Sequence, residues 1–155
     1  MSREQRGRLV AELSEACRAY RNAVDRLDEA VCECVEINRT DLRCLDVLER
    51  LGPMTAGELA SSCGLTTGAL TALLDRLERA GYVRRDRDEA DRRKVVVSMT
   101  EVVRAKAVEL YRPFVEAHET ILGHLDDADL ELITAFLRAE LEANLDHAAL
   151  LRSGA

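Results

Sequence analysis

Five residues near the middle of this 155-residue chain carry a chemistry that solvated helix faces lack. Thr66, Thr67, Gly68, Ala69 and Thr71 are small, uncharged and rich in hydroxyls, where a solvent-facing helix would carry Glu and Lys. At a helix N-terminus such side chains allow close approach to a major groove and hydrogen bonding to base edges. The free N–H groups of the first turn suit phosphate. Asp75 and Glu78 come only later, with Arg76 placed to reach a phosphate backbone. A second cluster follows, Arg84, Arg85, Arg87, Arg92, Arg93 and Lys94, giving six cations against four anions over residues 84–94. An Arg at the tip of such a loop suits an adjacent minor groove. Asp91, two residues before Arg93, is spaced to orient that guanidinium and keep it extended.

The elements that must hold these groups are legible around them. Thr55 and Glu58 have capping-box spacing, which predicts a short helix to about Ser62. Gly64 permits a left-handed turn, Ala60 is small where two helices would cross, and Leu65 is the apolar pin of the turn. Thr66 caps a second helix with Leu70, Leu73, Leu74 and Leu77 inward, and Gly81 stops it. A hairpin then runs from Tyr82 to Arg85, turns over Asp86 to Arg93, and returns through Lys94 to Met99. Helix, turn, helix and hairpin in this order make a helix-turn-helix with a wing.

Both flanks read as helix. Leu9, Leu13, Ala16, Tyr20, Ala23, Leu27, Ala30 and Cys34 recur at steps of three and four. Asn38-Arg39-Thr40 interrupts that pattern, and Thr40 is the expected cap of a helix from Asp41 to Leu51, with Leu42, Leu45, Val47 and Leu48 inward. Downstream, Val102, Val103, Ala107, Leu110, Tyr111, Phe114 and Val115 form a wide stripe, and Pro113 inside it predicts a kink or a break. Asp126 or Asp127 then caps a last helix bearing Leu130, Ile133, Phe136, Leu137, Leu141 and Leu145. The expected fold is mainly α with a small β-hairpin wing. The segments are a dimerisation helix at 1–37, a winged helix-turn-helix at 38–100 and dimerisation helices at 101–155. Terminal stripes wider than one short bundle needs favour an interface between two copies over an internal hairpin.

The net charge of −7 counts at first against a nucleic-acid role. It is unevenly spread: −2 over residues 1–52, +1 over 53–100 and −6 over 101–155. The acidic total therefore predicts weak non-specific affinity and reliance on groove fit, without excluding DNA. Aromatics at 3% with no Trp argue against a stacking platform for single strands. No apolar run reaches membrane-spanning length and no leader is apparent, so a cytoplasmic protein without membrane contact is expected.

The run from Thr40 to Leu45, Leu59-Ala60, Gly64 to Thr71, Leu77 to Arg85, and Asp91-Arg92-Arg93 before Val97-Ser98-Met99-Thr100 resembles the MarR family of winged-helix transcription regulators. The likeness is close over about residues 38–104, and Asp-x-Arg at the wing tip is its most specific part. Glu101-Val102-Val103 departs from the Gly-containing start common in the family. The resemblance implies a homodimer with intertwined terminal helices that binds double-stranded DNA at a pseudo-palindromic operator as a repressor. It places recognition helices in successive major grooves and wing Arg in the flanking minor grooves. It also implies release by a small phenolic or lipophilic effector held between the two lobes, a site that no motif fixes. Half-sites should lie about 10–10.5 bp apart.

Five cysteines in an apparently cytosolic chain are expected to be free thiols. Cys17, beside Arg18 and one turn from Arg21, is the candidate for redox sensing, although a place on the apolar stripe also accounts for it. Cys44 and Cys63 read as core, and Cys32 and Cys34 point to different helix faces. His118, His124 and His147 lack a tight i, i+4 pair and no CxxC occurs, so no metal or cofactor is expected. No P-loop, GxGxxG or Ser/His/Asp arrangement is visible, so no enzyme is expected. Two other readings stay open on sequence alone. One is a winged-helix protein-interaction module with no DNA site, consistent with the net −7. The other is a regulator whose signal is oxidation or a metal.

Overall fold

The computed structural model describes residues 2–87 and 94–154. In chain order these form α1 (Arg3–Val35), α2 (Arg39–Leu51), β1 (Met54–Thr55), α3 (Ala56–Cys63), α4 (Thr67–Arg79), β2 (Val83–Arg87), β3 (Val95–Met99), α5 (Glu101–Leu122) and α6 (Asp127–Ser153). The chain divides into two compact units, residues 1–110 and 111–155.

Local chemistry explains most boundaries of the first unit. α1 ends where Glu36 turns left-handed at φ 56°. α2 begins at Arg39, two residues before Asp41. Its cap is Asn38, not Thr40, because Asn38 accepts from the Asp41 N–H while Asp41 accepts from the Asn38 N–H. The two bonds satisfy two orphan N–H groups together, which a lone Thr cap does not. α3 starts on the expected Thr55–Glu58 box and ends at Gly64, φ 65°. Thr66 caps α4 by accepting from the Ala69 N–H at 3.3 Å. α5 begins after Thr100, whose carbonyl accepts from Arg104 N–H at 3.3 Å.

The wing belongs to a three-stranded antiparallel sheet of order β1-β3-β2. Val83 pairs with Met99 and Arg87 with Val95 across the hairpin, and Met54 and Thr55 pair with Val97 and Val96. The third strand is not legible in the sequence. Met54 and Thr55, the second of them the cap of α3, carry no periodicity, and β3 alone defines them as a strand.

One core joins the helices to the sheet. Cys44, Leu45, Val47 and Leu48 of α2, Leu59, Ala60 and Cys63 of α3, and Leu70, Leu73, Leu74 and Leu77 of α4 pack with Val35, Tyr82, Val83, Val97 and Val103. Leu42 is only half-buried, and Cys44 takes the inward place expected of it. The Tyr82 hydroxyl donates to the Val35 carbonyl at 3.1 Å and itself accepts from Lys106 Nζ at 2.9 Å. The end of α1, the root of the wing and the start of α5 are thus tied at one phenol. The Lys106 ammonium is held above its usual range by that bond.

In the second unit, Asp126 caps α6 in a box with Asp129, as the sequence suggests. Phe114 and His118 stack at 5.7 Å. α5 passes through Pro113 without a break. One missing N–H in a 22-residue helix removes a single ladder bond, and the turns on either side retain theirs. No residue of α6 is buried, and its Leu132, Leu137, Leu141 and Leu145 are exposed.

Candidate nucleic-acid interface

The hydroxyl-rich segment lies at the solvent-facing start of α4. Thr66, Thr67, Gly68, Ala69 and Thr71 are all exposed, while Leu70, Leu73, Leu74 and Leu77 of the same helix are buried. The first turn contains no acid. Thr71 donates its hydroxyl to the Thr67 carbonyl at 2.9 Å. Beside this face runs an open groove, walled by Ala56 and Gly57 of α3, Thr67 and Thr71 of α4, and Arg87 and Val95 of the wing.

The cations divide into two groups. Arg84, Arg87 and Lys94 are exposed. Arg84 Nε donates to Ser98 Oγ at 3.0 Å and lies 3.0 Å from Asp86 Oδ2. Arg85 turns instead to α4, where its guanidinium meets Asp75 Oδ1 at 2.7 Å and also bonds Glu78. Those two acids, chiefly Glu78, raise its pKa above the usual guanidinium range. The acids that sequence reasoning places at the far end of α4 therefore anchor the wing strand to it. Asp91, Arg92 and Arg93 lie outside the described residues.

Arg76 also has an internal partner. Its Nη2 meets Asp41 Oδ1 at 2.7 Å, and its Nη1 donates to the Ala72 carbonyl at 3.3 Å. The Asp41 side chain is only 3% exposed, whereas that of Arg76 is 44% exposed. One carboxylate thus caps α2 and fixes a half-exposed guanidinium on α4. Sequence reasoning misses this link. The Asn38-x-x-Asp41 spacing marks Asp41 as a capping residue, but nothing in one chain segment reveals a partner 35 positions away. Arg43 is a second such case: its guanidinium donates to the Cys63 carbonyl at 2.6 Å and closes the end of α3.

Thr55 holds the Glu58 carboxyl below the ordinary range through its hydroxyl and its backbone N–H. Cys17 is half-buried on α1, and Cys34 is exposed. Among the described residues no group of His, Cys, Asp and Glu gathers as a metal site, and no helix is long and apolar enough to cross a membrane.

Comparison with known proteins agrees with this arrangement. The MarR family model matches residues 37–95. The HTH-type transcriptional regulator YcgE of Bacillus subtilis (strain 168) is 41% identical over 109 residues, covering 70% of this chain and 71% of that protein. The apo crystal structure of wild-type MarR from E. coli superposes with TM-score 0.59 at 23% identity, covering 83% of this chain and 96% of that one. The S. aureus MepR F27L mutant bound to an oligodeoxyribonucleotide superposes with TM-score 0.58 at 22% identity, covering 84% and 96%. These likenesses establish the winged-helix fold with flanking terminal helices, in a family of regulators rather than enzymes. The chain belongs to the MarR family and is a DNA-binding transcriptional regulator.

Proposed function

We propose that the protein acts as a homodimeric repressor on a pseudo-palindromic duplex operator, read by the exposed N-terminal face of α4. The observation that carries this reading is the row Thr66, Thr67, Gly68, Ala69 and Thr71, all exposed and free of acids. A helix so lined fits a major groove closely and offers hydroxyls to base edges. Arg87 borders the open groove beside this helix, and Arg84, Lys94 and Arg92 add phosphate attraction. Arg76, held by Asp41 with part of its guanidinium open to solvent, reaches a phosphate from a fixed position. Arg85 contributes by fixing the wing to α4. Arg93, oriented by Asp91, enters the minor groove, as in the family pattern that Asp91-Arg92-Arg93 matches. The oligodeoxyribonucleotide in the MepR structure supports the class of ligand.

The dimer is supported by apolar surface with no partner inside its own unit. Leu9, Val10, Leu13 and Tyr20 of α1 are exposed, as are Leu137, Leu141 and Leu145 of α6. Such patches mark association surfaces. A small phenolic or lipophilic effector would change the spacing of two recognition helices and release the operator.

Selection of bound fragments from a random duplex library, followed by a mobility-shift titration at several salt concentrations, tests the reading. Saturable binding to a two-fold-related sequence with a negative salt slope is expected. Arg93→Ala should lose most of that affinity while sedimenting at about twice the chain mass of 17.3 kDa. Unchanged affinity refutes the minor-groove role, a monomer refutes the dimer, and absence of any selected sequence favours a protein-interaction role.

A further inference from the structure

Cys44 in the middle of α2 and Cys63 at the last position of α3 face each other across the crossing of these helices, with their sulfurs 2.9 Å apart. That is less than about 1 Å beyond the ~2.05 Å of a formed disulfide. Both side chains are buried, at 0% and 3% exposure, and both cysteines are free thiols. Neither Cys17, Cys32 nor Cys34 is part of this contact. From this geometry we propose that Cys44 and Cys63 are an oxidation site, convertible to an intrachain disulfide that staples α2 to α3 inside the winged lobe. The proposal does not depend on the operator reading.

The chemistry requires a two-electron oxidant of the hydroperoxide class. Cys63 is the entry point: it ends an eight-residue helix next to the Gly64 turn and is the less enclosed of the two. Local opening of that last turn admits a small oxidant. The Cys63 sulfur, as thiolate, attacks the peroxide O–O bond and becomes a sulfenic acid, while the other oxygen leaves as water from hydrogen peroxide. The Cys44 sulfur then attacks the sulfenyl sulfur, the S–S bond forms, and the sulfenyl oxygen leaves as a second water with the thiol proton. Two thiols and one peroxide thus give one disulfide and two waters. Burial raises the Cys44 thiol pKa, which slows its attack on the sulfenyl sulfur. The bridge closes a loop that contains β1 and all of α3, so the oxidised lobe holds the turn that launches α4.

The test uses the reduced full chain in native buffer, treated with hydrogen peroxide, alkylated and digested with trypsin without reduction. Residues 44–50 and 51–76 form separate tryptic peptides with one cysteine each. Their recovery as one species, lighter by two hydrogens than their sum, is expected. The oxidised chain should melt at least about 5 °C higher, and dithiothreitol should remove the shift. Separate recovery of the two peptides, both alkylated, after the exposed Cys34 has been oxidised to completion overturns the proposal. Bridging of either cysteine to another partner, or a crosslink without a melting shift, also overturns it.

Discussion

Replacing Arg76 by Ala should destabilise the winged lobe by about 2 kcal/mol, well beyond the effect of an ordinary surface substitution. The magnitude follows from the burial of Asp41. Removing the partner of a fully buried charge costs about 3–5 kcal/mol, and exposed ion pairs contribute about 0–1 kcal/mol. Here the carboxylate is 3% exposed and the guanidinium 44%, so solvent screens one side of the pair and the cost falls between those limits. Asp41 keeps its bonds to Asn38, which soften the loss but cannot neutralise the Oδ1 atom that faced Arg76. Urea unfolding followed by far-UV circular dichroism on wild type, Arg76→Ala, Asp41→Asn and the double variant gives the cycle. An interaction term of about 1–2 kcal/mol with unchanged m-values is expected. A loss below about 0.5 kcal/mol for Arg76→Ala would refute the reasoning and return the residue to the solvent-facing role its position in the sequence suggests.

Thr66→Ala should cost about 1 kcal/mol of stability through loss of the cap, and Thr66→Ser should restore it, checked by the same unfolding assay. Gly64→Ala should cost about 1–2 kcal/mol from the positive φ alone, because an added Cβ meets nothing within 4 Å; a neutral substitution would show the turn to be adaptable. Arg87→Ala should weaken operator binding evenly across sequences and reduce the salt slope by about one, and a change confined to particular base pairs would contradict a phosphate role. The Glu58 cap adds an acid-sensitive increment. Its folded pKa is depressed, so its contribution is complete above the ordinary carboxylate value of about 4.3 and is lost as pH falls through the lower folded value. The melting difference between wild type and Glu58→Gln should therefore shrink on acidification through that window, and a constant difference would refute the link.

Much of the local structure around the candidate site is legible in the sequence. Thr55 with Glu58, Gly64, Thr66 and Gly81 are local signals whose causes lie within four residues, and each appears where its chemistry requires. Burial on one side of α4 follows from the spacing of Leu70, Leu73, Leu74 and Leu77, and it places Thr66, Thr67, Gly68, Ala69 and Thr71 outward. The cap of α2 was equally local, yet the sequence reading puts it at Thr40 and the structure at Asn38. Only the reciprocal bond with Asp41 decides between them.

Tertiary structure decided everything that joins distant segments. Arg76 and Arg85 look alike in sequence, as cations near acids. Packing sends one to a buried carboxylate on α2 and the other to the acids of α4. Cys44 and Cys63 read as two separate core residues, and only the crossing of α2 and α3 brings their sulfurs together. β1 exists because β3 offers it an edge. The sequence by itself determines the helices, the hairpin and their buried and exposed faces, because helix caps, turns and periodicity are short-range. Which charges stay free for DNA and which are consumed within the lobe depends on contacts across tens of residues, and those follow only from the folded packing.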